Sequence, residues 1–229
     1  MQFQALAADY DGTLATDGVV DEKTVAALQR LRESGRRLIL VTGRIMPQLL
    51  AAFPQLDMCD LVVSDNGAVL YDPKTGQKNS LAERPPQEFI DELGRRGVPP
   101  VEVGDVIVAT WEPHETTVLQ TIHDLGLELQ IIFNKGAVMI LPTGVNKATG
   151  LAAALAKLGI SRHNTVGIGD AENDEAFLKM CGASAAVDNA LDVVKKQVDI
   201  VTGGARGAGV TELIDQLIEN DLSHLKKIA

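Results

Sequence analysis

Two cysteines, Cys59 and Cys181, are all that the 229 residues contain. Their separation matches no metal-binding spacing, and two thiols in a chain this size are expected to stay reduced in a cytoplasmic protein. The four histidines, His114, His123, His163 and His224, are scattered. A zinc centre of clustered Cys and His is therefore excluded. Aromatic residues make up 3% of the chain, which suits tight α/β layers better than a ligand-stacking surface. No apolar run approaches the ~20 residues of a membrane-spanning helix. No basic leader precedes the first apolar run, so no signal peptide is expected. Cations are outnumbered, 21 Lys and Arg against 31 Asp and Glu, for a net charge of −10. That field disfavours nucleic acid and anionic membranes as partners. It leaves room for an anionic substrate, because a metal and two or three cationic groups can dominate one cleft.

The residues that are abundant suit a layered fold. Apolar residues make up 45% of the chain, enough for a sizeable core in one large domain or two unequal ones. Short apolar runs at Phe3–Ala8, Leu38–Val41 and Leu61–Ser64 read as buried strands. Between them lie a helix capped by Asp21 and stopped by Gly35, and a short one opened by Pro47 and closed by Pro54. Strand and helix in alternation imply parallel pairing with right-handed crossovers. Asn66-Gly67 then signals a tight hairpin.

Near Arg84-Pro85-Pro86 the pattern changes. A helix over Gln87–Arg96, a β stretch over Val101–Thr110 and a helix over Glu115–Leu125 follow. Two β runs then meet at Asn134-Lys135-Gly136. After Gly144 the first pattern resumes. A helix opens at Lys147, strands follow at Thr165–Gly169, Ser184–Val187 and Asp199–Val201, and a glycine-rich loop over Gly203–Gly209 leads to a last helix from Val210. The expected architecture is a doubly wound, mostly parallel, Rossmann-like α/β core over residues 1–82 and 143–229, with a small α+β cap over 83–142 inserted into it.

Ligands of open parallel sheets bind beyond the carboxyl ends of the strands. Those ends here carry Asp9, Asp11 and Thr13, then Thr42, Gly43 and Arg44, then Ser64, Asp65 and Asn66, and finally Asp170, Asn173 and Asp174. In an extended segment Asp9 and Asp11 face the same way, and Gly12 permits a tight turn after them. Gathered carboxylates repel, and a hard cation with oxygen ligands relieves them. Mg²⁺ suits such a set, because it binds few protein oxygens and keeps waters for a phosphate. A carboxylate can attack phosphorus, and a neighbouring acid can protonate the leaving oxygen. Free backbone N–H groups after Gly12 and Gly43, a hydroxyl and a lysine suit phosphate oxygens.

Asp9-Tyr10-Asp11-Gly12-Thr13-Leu14, Thr42-Gly43-Arg44, Lys147 and Gly169-Asp170-Ala171-Glu172-Asn173-Asp174 resemble, in order and spacing, the four motifs of the haloacid dehalogenase superfamily. Ser64-Asp65-Asn66-Gly67-Ala68 and the insertion resemble its Cof-type branch, including small archaeal-type phosphoglycolate phosphatases and sugar phosphatases. The resemblance implies an Mg²⁺-dependent phosphatase of a small phosphorylated metabolite. A cytoplasmic monomer or homodimer is expected from the chain itself. The resemblance also implies Asp9 as nucleophile, Asp11 as general acid and base, and Thr42 and Lys147 as phosphate and charge partners. Gly12, Gly43, Arg44, Asn66 and Asn173 are implied at the substrate. The Asp9 carboxylate, the Asp11 carbonyl and the Asp170 carboxylate are implied at the metal, with Asp174 supporting. Arg84, Trp111, Glu112, His114 and Lys135 are cap candidates for reading the leaving group, Trp111 being expected to pack instead.

Bland readings stay open for several of these residues: a turn at Asn66-Gly67, a surface charge at Arg44, a plain loop at Gly203–Gly209 instead of an anion-binding nest. Two rival functions also stand. A phosphomutase would use the same Asp9 chemistry, and a non-catalytic phospho-receiver or metabolite-binding module would need no acid at Asp11.

Overall fold

Apolar runs without alternation make strands that are covered on both faces. The computed structural model describes residues 1–98 and 102–225. In it β1 (Ala5–Ala8), β2 (Arg37–Val41) and β3 (Leu61–Ser64) are such strands, separated by α1 (Glu22–Glu33) and α2 (Met46–Ala52). The Asp21 carboxylate caps α1 by accepting from the N–H groups of Lys23 and Thr24. β4 (Val69–Asp72) and β5 (Gln77–Ser80) fold back antiparallel. An inserted module follows: α3 (Gln87–Arg95), β6 (Glu102–Val103), β7 (Val108–Trp111), α4 (Glu115–Asp124), β8 (Leu129–Asn134) and β9 (Ala137–Pro142). The main pattern returns with α5 (Lys147–Leu158), β10 (Thr165–Gly169), α6 (Glu175–Met180), β11 (Ala183–Ala186), α7 (Asp192–Lys195), β12 (Ile200–Val201) and α8 (Arg206–Asn220).

Eight strands form one sheet in the order β12-β11-β10-β1-β2-β3-β4-β5, parallel from β12 to β3. From β1 the chain winds outward through α1 to β2, and from β10 it winds the other way through α6 to β11. Right-handed crossovers therefore place α1 and α6 on opposite faces. α8 packs on α1, and α5 packs on α6. The order reverses between β1 and β10, and sheets of this kind open a crevice at such a switch point. The module is a four-stranded antiparallel sheet, β6-β7-β9-β8. It has its own core of Phe89, Leu93, Val108, Val118, Ile122, Val138 and Ile140. A third apolar cluster joins it to the main sheet, with Ala68 and Val69 on one side and Val106, Ile107 and Met139 on the other.

Three local features depart from the sequence expectation. The β stretch expected over Val101–Thr110 is broken; Val101 itself lies outside the described residues. Residues 104–107 leave the sheet, and the N–H groups of Val106 and Ile107 donate to Asp65 Oδ2 at 3.0 and 3.4 Å. The glycine-rich stretch is half helix, since α8 starts at Arg206. A Cβ on Gly207 would lie 2.1 Å from Thr24 Oγ1, so glycine there lets α8 close on α1. The N–H groups of Gly203 and Gly204 donate to Glu212 Oε2 at 2.8 and 3.2 Å, so this chain's own carboxylate takes the place an anion would have. Finally, Asn66-Gly67 is no two-residue hairpin. Ser64 pairs with Val69, and Asp65–Ala68 forms the connection.

That connection carries unusual backbone. Asp65, Asn66 and Gly67 have φ of +50°, +52° and +108°, a left-handed run that costs free energy at each non-glycine position. A Cβ on Gly67 would sit 1.9 Å from the Asn146 carbonyl oxygen. Gly67→Ala is therefore expected to cost about 3 kcal/mol or more in urea unfolding. Gly76→Ala is the control. It also has positive φ, +71°, but nothing within 4 Å of its Cβ, and should cost about 1 kcal/mol. Equal costs would remove the steric reading.

Candidate active site

The strand ends meet as the topology requires. Asp9 follows β1 directly and is 4% exposed. Its Oδ1 accepts from Lys147 Nζ at 2.6 Å, and the same ammonium donates to Asp174 Oδ1 at 2.6 Å. Lys147 is the first residue of α5 and is 1% exposed. The Asn146 side chain caps α5, accepting from the N–H groups of Ala148 and Thr149. Asp174 Oδ2 accepts from the backbone N–H groups of Asp170 and Ala171 at 2.8 and 3.0 Å. Both oxygens of Asp174 are thus engaged, and it braces the turn after β10. Gly169 makes room for it, since a Cβ there would lie 2.6 Å from Asp174 Oδ2.

Asp170 is fully buried. Its Oδ1 accepts from Thr13 Oγ1 at 3.3 Å, and its Oδ2 accepts from Lys135 Nζ. Lys135 comes from the β8–β9 turn of the inserted module, so that module reaches the core's carboxylates. Gly12 has φ +85°, and a Cβ there would lie 2.3 Å from Asp170 Oδ2. Only glycine fits between the turn after β1 and the turn after β10.

Burial and the neighbouring Asp174 push the Asp9 carboxyl well above the usual carboxylate range, against the pull of Lys147. Burial also raises Asp170, partly offset by Lys135. Burial alone would lower the Lys147 ammonium; Asp174 and Asp9 outweigh it and raise it. Oxygen atoms from Asp9, Asp170 and Asp174 lie within 4.8 Å of one another, all buried. Hard oxygen donors, with no sulfur or imidazole among them, fit Mg²⁺ in type. Asp9 is held through one oxygen by Lys147, Asp170 by Thr13 and Lys135, and Asp174 by Lys147 and the backbone.

A cavity of about 760 Å³ opens over these groups. Asp9, Asp11, Gly43, Arg44, Asp170 and Asn173 line it from the core, and Thr110, Trp111, Asn134 and Lys135 line it from the module. Thr42, Asn66, Lys147 and Asp174 stand behind the wall, buried. Thr42 Oγ1 accepts from the Arg44 N–H at 3.1 Å, leaving its own proton for another acceptor. Asn66 Oδ1 accepts from Asn173 Nδ2 at 3.0 Å, so Asn66 positions Asn173 from behind. Arg44 meets Asp11 and not open solvent: its Nε and Nη2 donate to the two Asp11 oxygens, both at 2.7 Å. Trp111 does not pack as expected; it is 56% exposed at the cavity's edge. Arg84, Glu112 and His114 do not line the cavity.

Nothing local in the sequence marks Asp65 or Met139 as a contact between core and module. Asp65 stood at a strand end with no sign that its carboxylate holds the inserted module. Lys135, a cap candidate for the leaving group, is bound to the core carboxylate Asp170. Met139 covers Gly43 so closely that a Cβ there would lie 2.9 Å from its Cε. Only the β7–β9 pairing brings it over the core, and no local pattern carries that information.

A buried acidic cluster with a bridging lysine, at the switch point of a parallel sheet, under an inserted antiparallel module, defines a class of hydrolase. Residues 6–105 and 101–214 match the haloacid dehalogenase-like hydrolase family, and the chain belongs to it. It is 29% identical over 218 residues to a phosphoglycolate phosphatase of Methanothermobacter thermautotrophicus, covering 92% of this chain and 97% of that one. Its fold is shared by a solved protein of Thermoplasma acidophilum, with a TM-score of 0.82 and 18% identity over 93% of this chain and 97% of that one. A haloacid dehalogenase subclass IIB sugar phosphatase superposes with a TM-score of 0.76 at 20% identity, covering 93% and 98%. Among the described residues no helix is long and apolar enough to cross a membrane.

The bridge made by Lys147 yields a prediction. Lys147→Met leaves Asp9 and Asp174 buried without their shared cation, which is expected to cost about 3 kcal/mol near neutral pH. Without Lys147 the Asp9 carboxyl rises further above its unfolded value. A group raised on folding stabilises at low pH and loses that contribution as pH rises through its folded pKa. The deficit should therefore shrink as pH falls and grow as it rises, read by denaturant unfolding across pH. A deficit independent of pH would contradict this electrostatic account.

Proposed function

We propose that the protein is an Mg²⁺-dependent phosphomonoester hydrolase of a small phosphorylated metabolite, acting through a phosphoaspartyl intermediate. Phosphoglycolate or a sugar phosphate is the substrate class. One observation carries the reading: Asp9 is buried at a strand end, lines the cavity, and has one carboxylate oxygen held by Lys147. That leaves a fixed oxygen nucleophile whose charge is balanced from behind. The names of the phosphoglycolate phosphatase and sugar phosphatase relatives support the substrate class.

In the first step an Asp9 oxygen attacks phosphorus, and the ester P–O bond breaks. Asp11 gives its proton to the leaving oxygen. In the second step Asp11 takes a proton from water, whose oxygen attacks the same phosphorus. The bond to Asp9 breaks, releasing inorganic phosphate and the carboxylate. Thr42 Oγ1 and the backbone N–H of Gly43 hold phosphoryl oxygens, and Asn173, held by Asn66, orients them. Lys147 keeps Asp9 in line and offsets its charge. Asp9, Asp170 and the Asp11 carbonyl would hold Mg²⁺, with Asp174 supporting from behind. When bound it would neutralise charge on the phosphoryl oxygens. The inserted module serves as a cap, with Lys135 and Met139 closing over the phosphate and limiting water.

Phosphate release from a panel of phosphometabolites, with and without Mg²⁺, tests this. The wild type should hydrolyse at least one small ester only with the metal. Asp9→Asn should lower kcat by about 10⁴-fold or more, as loss of a covalent nucleophile does. Metal-independent hydrolysis, or an Asp9→Asn variant near wild-type rate, would overturn the proposal.

A further inference from the structure

Asp11, the acid of that scheme, is already occupied. Both its oxygens accept from Arg44, through Nε and Nη2 at 2.7 Å each, in the fork geometry that fits a carboxylate best. The fork itself is held rigid. Its guanidinium lies over the Tyr10 ring, 5.0 Å from the centroid. Gly18, with φ +81°, lies beside it: a Cβ there would be 3.0 Å from Arg44 Nη2. Tyr10 is fully buried and donates its hydroxyl to the Gly18 carbonyl at 2.9 Å, locking ring and turn together. Arg44 is therefore a preorganised receptor for a carboxylate, and it lines the same cavity as Asp9 and Lys135.

This arrangement creates a conflict for catalysis. While both oxygens of Asp11 lie in the fork, neither is free for a leaving oxygen. The pair is also easily exchanged. The Asp11 side chain is 46% exposed and the Arg44 side chain 24%, so water and solutes reach them. An ion pair open to solvent holds by about 1 kcal/mol, which a competing anion can overcome.

We propose that the leaving group of the true substrate carries a carboxylate, which displaces Asp11 from Arg44, and that the freed Asp11 takes up a proton from water and gives it to the leaving oxygen. This deepens the phosphatase reading above and rests on it. Recognition and acid catalysis are then one event, in which Arg44 trades the chain's own carboxylate for the substrate's. A neutral sugar phosphate has no group to make the trade. The substrate class is thus the phosphate ester of a short hydroxy acid. Lys135, the other cation lining the cavity from above, adds attraction for the same charge.

Two esters of nearly equal size test the exchange: phosphoglycolate, and 2-hydroxyethyl phosphate, which has a neutral alcohol in place of the carboxylate. The wild type should prefer phosphoglycolate by roughly 100-fold in kcat/KM, because only that ester frees Asp11 for acid catalysis. Arg44→Gln should abolish the preference. It should lower kcat/KM for phosphoglycolate while raising kcat for the neutral ester severalfold, because Asp11 is no longer held. Arg44→Lys, which keeps the charge and loses the fork, should fall between. A merely structural Arg44 would depress both esters alike, and that result overturns the proposal. So does a wild type that treats the two esters equally, a comparison that needs no variant. If the wild type hydrolyses neither ester nor any other, the phosphatase reading itself falls, and the exchange with it.

Discussion

One buried ammonium ties the site to the fold. Lys147 sits between Asp9 and Asp174, donating to each at 2.6 Å with almost no access to solvent. Burial alone would strip the charge from that ammonium, and the two carboxylates beside it hold the charge in place. A lysine at the first position of a helix is disfavoured by the helix dipole, so local preference does not account for it. Its place is set by packing. The carbonyl of Asn146 and the Cα of Gly67 approach so closely that any side chain at 67 would collide, and a Cβ on Gly150 would lie 2.5 Å from the Gly67 oxygen. The start of α5 is pressed against the turn after β3, and Lys147 is delivered from there to the end of β1.

The same turn serves three masters. Asp65 accepts two N–H groups from the inserted module, Asn66 accepts from Asn173, and Gly67 admits α5. The left-handed backbone of all three residues is the cost of making these contacts within one short connection. Core, inserted module and site thus share a single joint. From the other side the module sends Lys135 to Asp170 and Met139 over Gly43. The cavity lies between these two points of attachment, and its walls come from both parts of the chain.

Much of this was legible in the sequence, and the reasons are physical. Continuous apolar runs such as Leu38–Val41 signal buried parallel strands, and Asp21 and Gly35 mark helix ends through local backbone chemistry. The acidic groups at Asp9, Asp170 and Asp174 stood out because carboxylates at the ends of apolar strands are not needed for folding. Contacts set by tertiary pairing were hidden. The fork between Arg44 and Asp11 joins residues from different strand ends, and a lone arginine in a loop looks like a surface charge. The broken strand before Val108 follows from Asp65, remote in sequence. Glycines misled where they serve close packing: Gly207 reads as loop and lies in a helix because α1 leaves no room for a side chain.

The central claim is that Asp9 becomes covalently phosphorylated. The Asp11→Asn variant with p-nitrophenyl phosphate and Mg²⁺ isolates that step, because the nitrophenolate leaves without a proton while the second step has lost its base. Rapid-quench kinetics with mass spectrometry of the quenched protein reads it. The account predicts a burst of about one nitrophenolate per active site, then slow turnover, with a phosphoryl group on the peptide that contains Asp9. Steady release without a burst, or a phosphoryl group on any other residue, would contradict it.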